Sequence, residues 1–235
     1  MKLCVALDMS TRAENVALAS ELSGLDIWLK VGLRSFIRDG WSFVEELKKS
    51  GGQKIFLDLK LYDIPNTMAD AADEIAKSGL VDMFNIHASA GKTAMNTVMD
   101  RLSSRQERPL ILAVTALTSF DRSEFFDVYS STIDEKAAQF AEWSFESGLD
   151  GVVCSVHESR LVKYATKQSF MTLCPGIRPD GEDKGDQKRV SDISFAMDEM
   201  VDFAVVGRPI YQDSNKRTKA EHILAQITGY SPEIY

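Results

Sequence analysis

Ile55-Phe56-Leu57-Asp58-Leu59-Lys60-Leu61-Tyr62-Asp63-Ile64-Pro65-Asn66-Thr67 begins as a buried strand and ends as the start of a helix. Ile55–Leu59 has the apolar composition and the length of a parallel-sheet strand. Pro65 suits the first turn of a helix, with Asn66 or Thr67 available to cap it. The stretch is therefore one βα unit with charge at the C-terminal end of its strand. Residues two apart on a strand leave the same face, so Asp58 and Lys60 are expected side by side.

The same pattern recurs along the chain. Strand-like runs are expected at Leu3–Leu7, Ile27–Val31, Ile55–Leu59, Met83–Ile86, Leu110–Val114, Gly151–Cys154, Phe170–Leu173 and Phe203–Val206. Helical spacing lies between them, at Arg12–Leu22, Phe43–Lys49, Met68–Ser78, Thr93–Leu102, Asp134–Ser147 and His222–Thr228. Such alternation predicts right-handed βαβ units. Eight strands in 235 residues fit a TIM (β/α)8 barrel better than an open doubly wound sheet.

The strand ends strengthen that choice. Asp8, Lys30, Asp58 with Lys60, His87, Thr118 and Ser119, Ser155, Arg178, and Gly207 with Arg208 are odd residues for a core, and a barrel brings such ends together at one mouth.

A hydrophobic fraction of 44% and the lack of Pro-rich or Gly/Ser-rich stretches predict a single domain over residues 1–235. A net charge of -8 excludes general affinity for nucleic acid, so an anionic ligand needs a local positive site. The apolar run from Met1 stops at Asp8, too short for a signal peptide or a membrane span. Cys4, Cys154 and Cys174 have neither disulfide-framework nor zinc spacing, and a reducing cytoplasm is expected. No metal-ligand set and no G-x-G-x-x-G fingerprint is apparent, so a reaction without cofactor is the simplest expectation.

Asp58 and Lys60, beside Lys30 and Asp8 on the two preceding strands, predict an alternating charge array in which a lysine held as ammonium can donate a proton. An isolated Asp-x-Lys would read more readily as a structural ion pair at a strand end; here the charge array and the loop that follows turn the reading toward a site. Pro175-Gly176-Ile177-Arg178 and Gly207-Arg208 follow the last two strands, where barrels commonly hold phosphate. Glycine there allows close backbone approach, and arginine offers a bidentate cation. His157 and His222 read as surface or satisfied helical residues; His87 reads either as lining the mouth or as a structural hydrogen-bonding residue.

Ala6-Leu7-Asp8, Lys30-Val31-Gly32, the Asp58–Thr67 block, His87-Ala88, Leu117-Thr118-Ser119, Pro175 to Pro179, Asp186-Gln187 and Gly207-Arg208-Pro209-Ile210 together resemble the orotidine 5'-phosphate decarboxylase family. The resemblance implies a homodimeric TIM barrel that converts orotidine 5'-monophosphate to UMP and carbon dioxide without metal or cofactor. It implies that Lys60 protonates C6, that Asp58 adjoins the leaving carboxylate, and that Lys30 and Asp8 contact the ribose. Asp63 and Thr67 would reach the partner's site, with Ile64 among the substrate-binding residues. Thr118, Ser119 and Pro175 would adjoin the base; Arg178, Gln187, Gly207 and Arg208 would hold the phosphate. Two departures stand out: Ala90-Gly91 where the family more often has paired glycines, and no proline soon after Ile210.

Two other readings are available. One is a magnesium-dependent sugar-phosphate decarboxylase or aldolase of the same suprafamily, which shares Asp-x-Lys-x-x-Asp but not the Ile-Pro-Asn-Thr continuation. The other is a non-catalytic phosphate-ligand binder, which gives no reason to place Asp58 beside an anion.

Overall fold

The computed structural model describes residues 1–51, 53–179 and 191–229. Among these, β1 (Lys2–Ala6), β2 (Ile27–Gly32), β3 (Lys54–Leu61), β4 (Met83–His87), β5 (Leu110–Val114), β6 (Gly151–Val153), β7 (Met171–Cys174) and β8 (Phe203–Val206) pair in sequence order. β8 closes on β1, and every pairing is parallel. The chain is a TIM barrel, as its sequence predicts. β5 and β8 coincide with the expected runs, and the others differ by one or two residues at an end.

The helices are α1 (Arg12–Glu21), α2 (Leu33–Gly51), α3 (Pro65–Ser78), α4 (Lys92–Leu102), α5 (Arg122–Tyr129), α6 (Ile133–Glu146), α7 (Val156–Ala165), α8 (Ile193–Asp198), α9 (Arg208–Tyr211) and α10 (Lys216–Gly229). α2 is broken at Gly40, whose φ of 63° only glycine adopts readily. Its second half matches the expected Phe43–Lys49, while its first half carries exposed Leu33 and Ile37 and so lacks the usual amphipathic pattern. Pro65 is the first residue of α3, as anticipated, but Ile64 is its N-cap and neither Asn66 nor Thr67 caps it.

Strand parity sorts the core into two layers. Odd-numbered Leu3 and Val5 of β1 pack toward the helices, while Cys4 and Ala6 join Trp28, Phe56, Met83, Leu112, Val114, Val153, Leu173, Phe203 and Val205 in a separate inner cluster. Continuing each inner row upward leads to Asp8, Lys30, Asp58, His87 and Gly207. The inner row of β4 runs Met83, Asn85, His87. Asn85, fully buried, is the polar exception within it.

At the opposite end, Asp82, Asp150 and Asp202 each stand immediately before an even-numbered strand and clamp the preceding one. Their Oδ2 atoms accept from the N–H groups of Ile55 (2.7 Å), Ile111 (2.7 Å) and Thr172 (2.8 Å). Each also pairs with a cation: Lys48 at 2.6 Å, Arg108 at 2.6 Å and Lys163 at 2.5 Å. Lys163 is the deepest, with 3% of its side chain exposed, and also donates to the carbonyls of Gln168 and Phe170. Removing Asp202 leaves that ammonium short of its counter-charge and the Thr172 amide without its acceptor. Asp202→Ala should lower the unfolding free energy by about 3 kcal/mol, with kcat in the folded protein unchanged. Denaturant unfolding checks this, and a loss below about 1 kcal/mol would refute the clamp.

Candidate active site

The C-terminal mouth of the barrel contains a cavity of about 520 Å³. Phe56, Val114, Val153, Leu173 and Val205 from the inner rows supply apolar lining. Five cationic side chains, Lys30, Arg34, Lys60, Arg178 and Arg208, face it together with two aspartates, Asp8 and Asp58. An acidic protein thus concentrates positive charge at one concave place.

On one wall Asp8, Lys30, Asp58 and Lys60 alternate across three neighbouring strands. Lys30 Nζ lies 3.3 Å from Asp8 Oδ2 and 3.4 Å from Asp58 Oδ2, and Lys60 Nζ donates to Asp58 Oδ1 at 2.7 Å. Gly32 leaves room for this array: a Cβ there would stand 3.0 Å from Asp8 Oδ1 and 3.1 Å from Lys30 Nζ. The guanidinium of Arg34, in the first turn of α2, donates to the carbonyls of Asp8 and Met9 and steadies the end of β1.

Lys60 reaches Asp58 by a route that simple alternation does not foresee. β3 slips against β4: Leu57 pairs with Phe84, yet Leu61 pairs with Ile86, so β3 uses two more residues than its partner. Within this bulge Lys60 takes a φ of 55°, a left-handed conformation costing a lysine roughly 1–2 kcal/mol. Its N–H donates to Asn85 Oδ1 at 2.7 Å, and Asn85 Nδ2 donates to Asp58 Oδ1 at 2.8 Å.

These contacts set the ionisation of the array. Burial pushes the Asp58 carboxyl up, but Lys30, Lys60 and the hydrogen bonds from Lys60 and Asn85 outweigh it and lower it to about 2. For Lys30, burial favours the neutral amine, yet Asp58 and Asp8 hold its pKa above the ordinary lysine value. Desolvation drives the Cys4 thiol, beneath the array, well up and keeps it neutral.

Arg178, Gly207, Arg208 and Tyr211 form another part of the lining. The Arg178 backbone is pinned by an isolated bridge, its N–H donating to the Ser191 carbonyl at 2.8 Å while the Ser191 N–H donates to that of Gly176 at 3.2 Å.

A family model described as orotidine 5'-phosphate decarboxylase / HUMPS family matches residues 1–223. The chain belongs to this family. It is 62% identical over 227 residues to the orotidine 5'-phosphate decarboxylase of Campylobacter concisus (strain 13826), covering 97% of this chain and all of the relative. Identity to that of Sulfurovum sp. (strain NBC37-1) is also 62%, over 231 residues, 98% of this chain and 100% of the relative. A crystal structure of orotidine 5'-phosphate decarboxylase from Lactobacillus acidophilus superposes with a TM-score of 0.83 at 30% identity, covering 96% of this chain and 98% of that one.

Of the residues that resemblance to the decarboxylase family singles out, Asp8, Lys30, Asp58, Lys60, Thr118, Pro175, Arg178, Gly207 and Arg208 line the one cavity. Asp63, Ile64, Thr67 and Ser119 are not part of its lining. Asp63 accepts from the Ile64 N–H at 2.7 Å in the loop before α3. Gln187 lies outside the described residues, as does most of the loop between Arg178 and Arg189 that the sequence suggests closes over phosphate. His87 does not line the cavity; its Nδ1 sits 2.7 Å from Ser89 Oγ, and burial and Lys60 lower its pKa, which favours the structural of its two readings.

Sequence reasoning missed Arg34, Tyr211 and Asn85. Arg34 and Tyr211 lie beyond the strand ends and carry no local signal. Asn85 could have been found: it is a polar residue within an apolar run, in step with His87.

Because the Asp58 carboxyl is lowered in the folded state, its contribution to stability is present above the unfolded value near 3.8 and lost as pH falls through about 2. Asp58→Asn should therefore cost about 2 kcal/mol of unfolding free energy at neutral pH, with the gap to wild type closing toward pH 2. Urea unfolding across pH measures this; a pH-independent gap would contradict the assigned ionisation.

Proposed function

We propose that the cavity binds orotidine 5'-phosphate and that Lys60 and Asp58 carry out its decarboxylation. The chain's function is this decarboxylation in pyrimidine biosynthesis, yielding UMP. The observation that carries the site assignment is an anionic Asp58 held between Lys30 and Lys60 in a cavity otherwise rich in cations. The substrate brings one carboxylate and a phosphate of roughly -1.5 to -2 charge at neutral pH, and the excess of cationic side chains complements both.

In this reading Arg178 and Arg208, with the backbone at Gly207, grip the phosphate, and Gln187 completes the grip. Asp8 and Lys30 face the ribose, while Thr118, Ser119 and Pro175 adjoin the base. Phosphate binding holds the substrate carboxylate against Asp58, where like charges repel. Breaking the C6–carboxylate bond releases neutral carbon dioxide and ends that repulsion. The electron pair stays on C6, where the Lys60 ammonium stabilises it and delivers a proton; solvent then reprotonates the amine.

Decarboxylation should appear as a loss of orotidine absorbance on adding substrate. No spectral change would overturn the assignment, and abolition of turnover by EDTA would move the reading to the magnesium-dependent branch. Lys60→Ala should lower kcat by roughly 10⁴-fold or more while still binding UMP. Arg208→Ala should raise KM by about 100-fold, as expected for a lost charge-assisted pair. Near-normal values for either would remove that residue's role.

The proposal includes a homodimer. Asp63, Ile64 and Thr67 do not line their own chain's cavity, and Tyr62 (64% exposed), Ile64 (67%) and Ile37 (75%) present apolar surface beside the mouth. A partner covering that surface would receive Asp63 and Thr67 in its own site. Mixing inactive Lys60→Ala and Asp63→Ala proteins should then restore activity through hybrid dimers carrying one intact site; no recovery after subunit exchange would refute the shared site.

Cytoplasmic location is proposed because the buried thiols Cys4, Cys154 and Cys174 suit a reducing compartment. Among the described residues no helix is long and apolar enough to cross a membrane.

A further inference from the structure

We propose that Asn85 is a positioning residue for the decarboxylation, its side-chain amide setting the relative placement of Asp58 and Lys60. The inference rests on the roles given to those two residues above. Asn85 sits in the middle of β4, wholly buried, on the inner row between Met83 and His87. Its neighbours on that row give no reason for an amide in the barrel interior. The reason lies on the adjacent strand.

Where β3 bulges, the regular ladder to β4 is interrupted between Leu57 and Leu61. The Lys60 N–H, turned by its left-handed φ of 55°, finds its acceptor in Asn85 Oδ1 at 2.7 Å. The other end of the same amide, Nδ2, donates to Asp58 Oδ1 at 2.8 Å, the oxygen that Lys60 Nζ also reaches at 2.7 Å. The orientation of the amide is forced, because an N–H needs an acceptor and an ionised carboxylate needs a donor. One rigid planar group therefore spans the backbone of the lysine and the carboxylate of the aspartate. Without it, the bulge loses its acceptor and Asp58 its one neutral donor, leaving the carboxylate held only by Lys30 and Lys60, whose chains are longer and more flexible.

Charged and titratable groups from every side share this space: Asp8 and Cys4 from β1 and its end, Lys30 from β2, Asp58 and Lys60 from β3, and His87 from β4. Asn85 contributes no charge, so it fixes geometry without altering the alternation.

Two variants near asparagine in size separate positioning from packing. Asn85→Leu removes both hydrogen bonds, and Asn85→Asp keeps an acceptor for the Lys60 N–H but sets a second carboxylate against Asp58. Both should lower kcat by about 100-fold, the cost of displacing reacting groups by a fraction of an ångström to an ångström, while UMP affinity stays within about threefold because the phosphate grip is remote. In Asn85→Asp, kcat should also gain a dependence on pH between about 4 and 8 that wild type lacks, since two adjoining carboxylates compete for one proton. Unchanged kcat in either folded variant, or UMP affinity falling in step with kcat, would overturn the proposal. If Asn85→Leu does not fold, Asn85→Asp decides alone. Wild type assayed in parallel keeps the two readings apart: an inactive wild type refutes the decarboxylase assignment, an active one with unaffected variants refutes only the role of Asn85.

Discussion

The Asp58 carboxylate is the point on which the site turns. It is largely buried, which by itself would favour the neutral acid, yet two ammonium groups and an amide, three donors in all, are directed at its oxygens. Burial of a single charge is prohibitive, whereas an alternating row of charges with each member satisfied is tolerable. That is why Asp8, Lys30, Asp58 and Lys60 occur together: removing any one weakens the compensation of a buried neighbour, Lys30 or Asp58. In the function proposed above, the same arrangement puts a fixed negative charge where a substrate carboxylate is to be destabilised and a proton donor beside it.

The barrel makes the row possible through strand parity. Every second residue of each strand faces inward, so the series Cys4, Ala6, Asp8 on β1 and Trp28, Lys30 on β2 pass from packed floor to polar mouth without any change of rule. The Asp82, Asp150 and Asp202 clamps hold the opposite end and fix register there. Stability and chemistry are thus placed at opposite ends of the strands. Among the described residues β3 alone departs from regular pairing, in the residues to which the proposed function gives the chemistry, and Asn85 on β4 accommodates the departure.

Much of this was legible in the residues. The strands could be read because they are short apolar runs ending on charge, and β5 and β8 were placed to the residue. The charge array followed from Asp8, Lys30, Asp58 and Lys60 falling at successive strand ends. What escaped reading did so for physical reasons. The first half of α2 points Leu33 and Ile37 outward, so its periodicity is not that of a helix on a core. α5, eight residues long, was hidden by its short length, although its capping box, Asp121 with Glu124, was present as a signal. The left-handed backbone of Lys60 has no signature in sequence, since lysine does not favour it; only the partner strand and the Asn85 amide account for it.

The most direct measurement is the titration of Asp58 itself, followed by carbon-13 NMR of protein labelled at its aspartate carboxyls, with Asp58→Asn assigning the signal. The expected result is a carboxylate that remains ionised as pH falls and takes up its proton only near 2. A midpoint at or above the ordinary value of 3.8 would mean that burial outweighs Lys30, Lys60 and Asn85, and would contradict the charge array as the basis of the site.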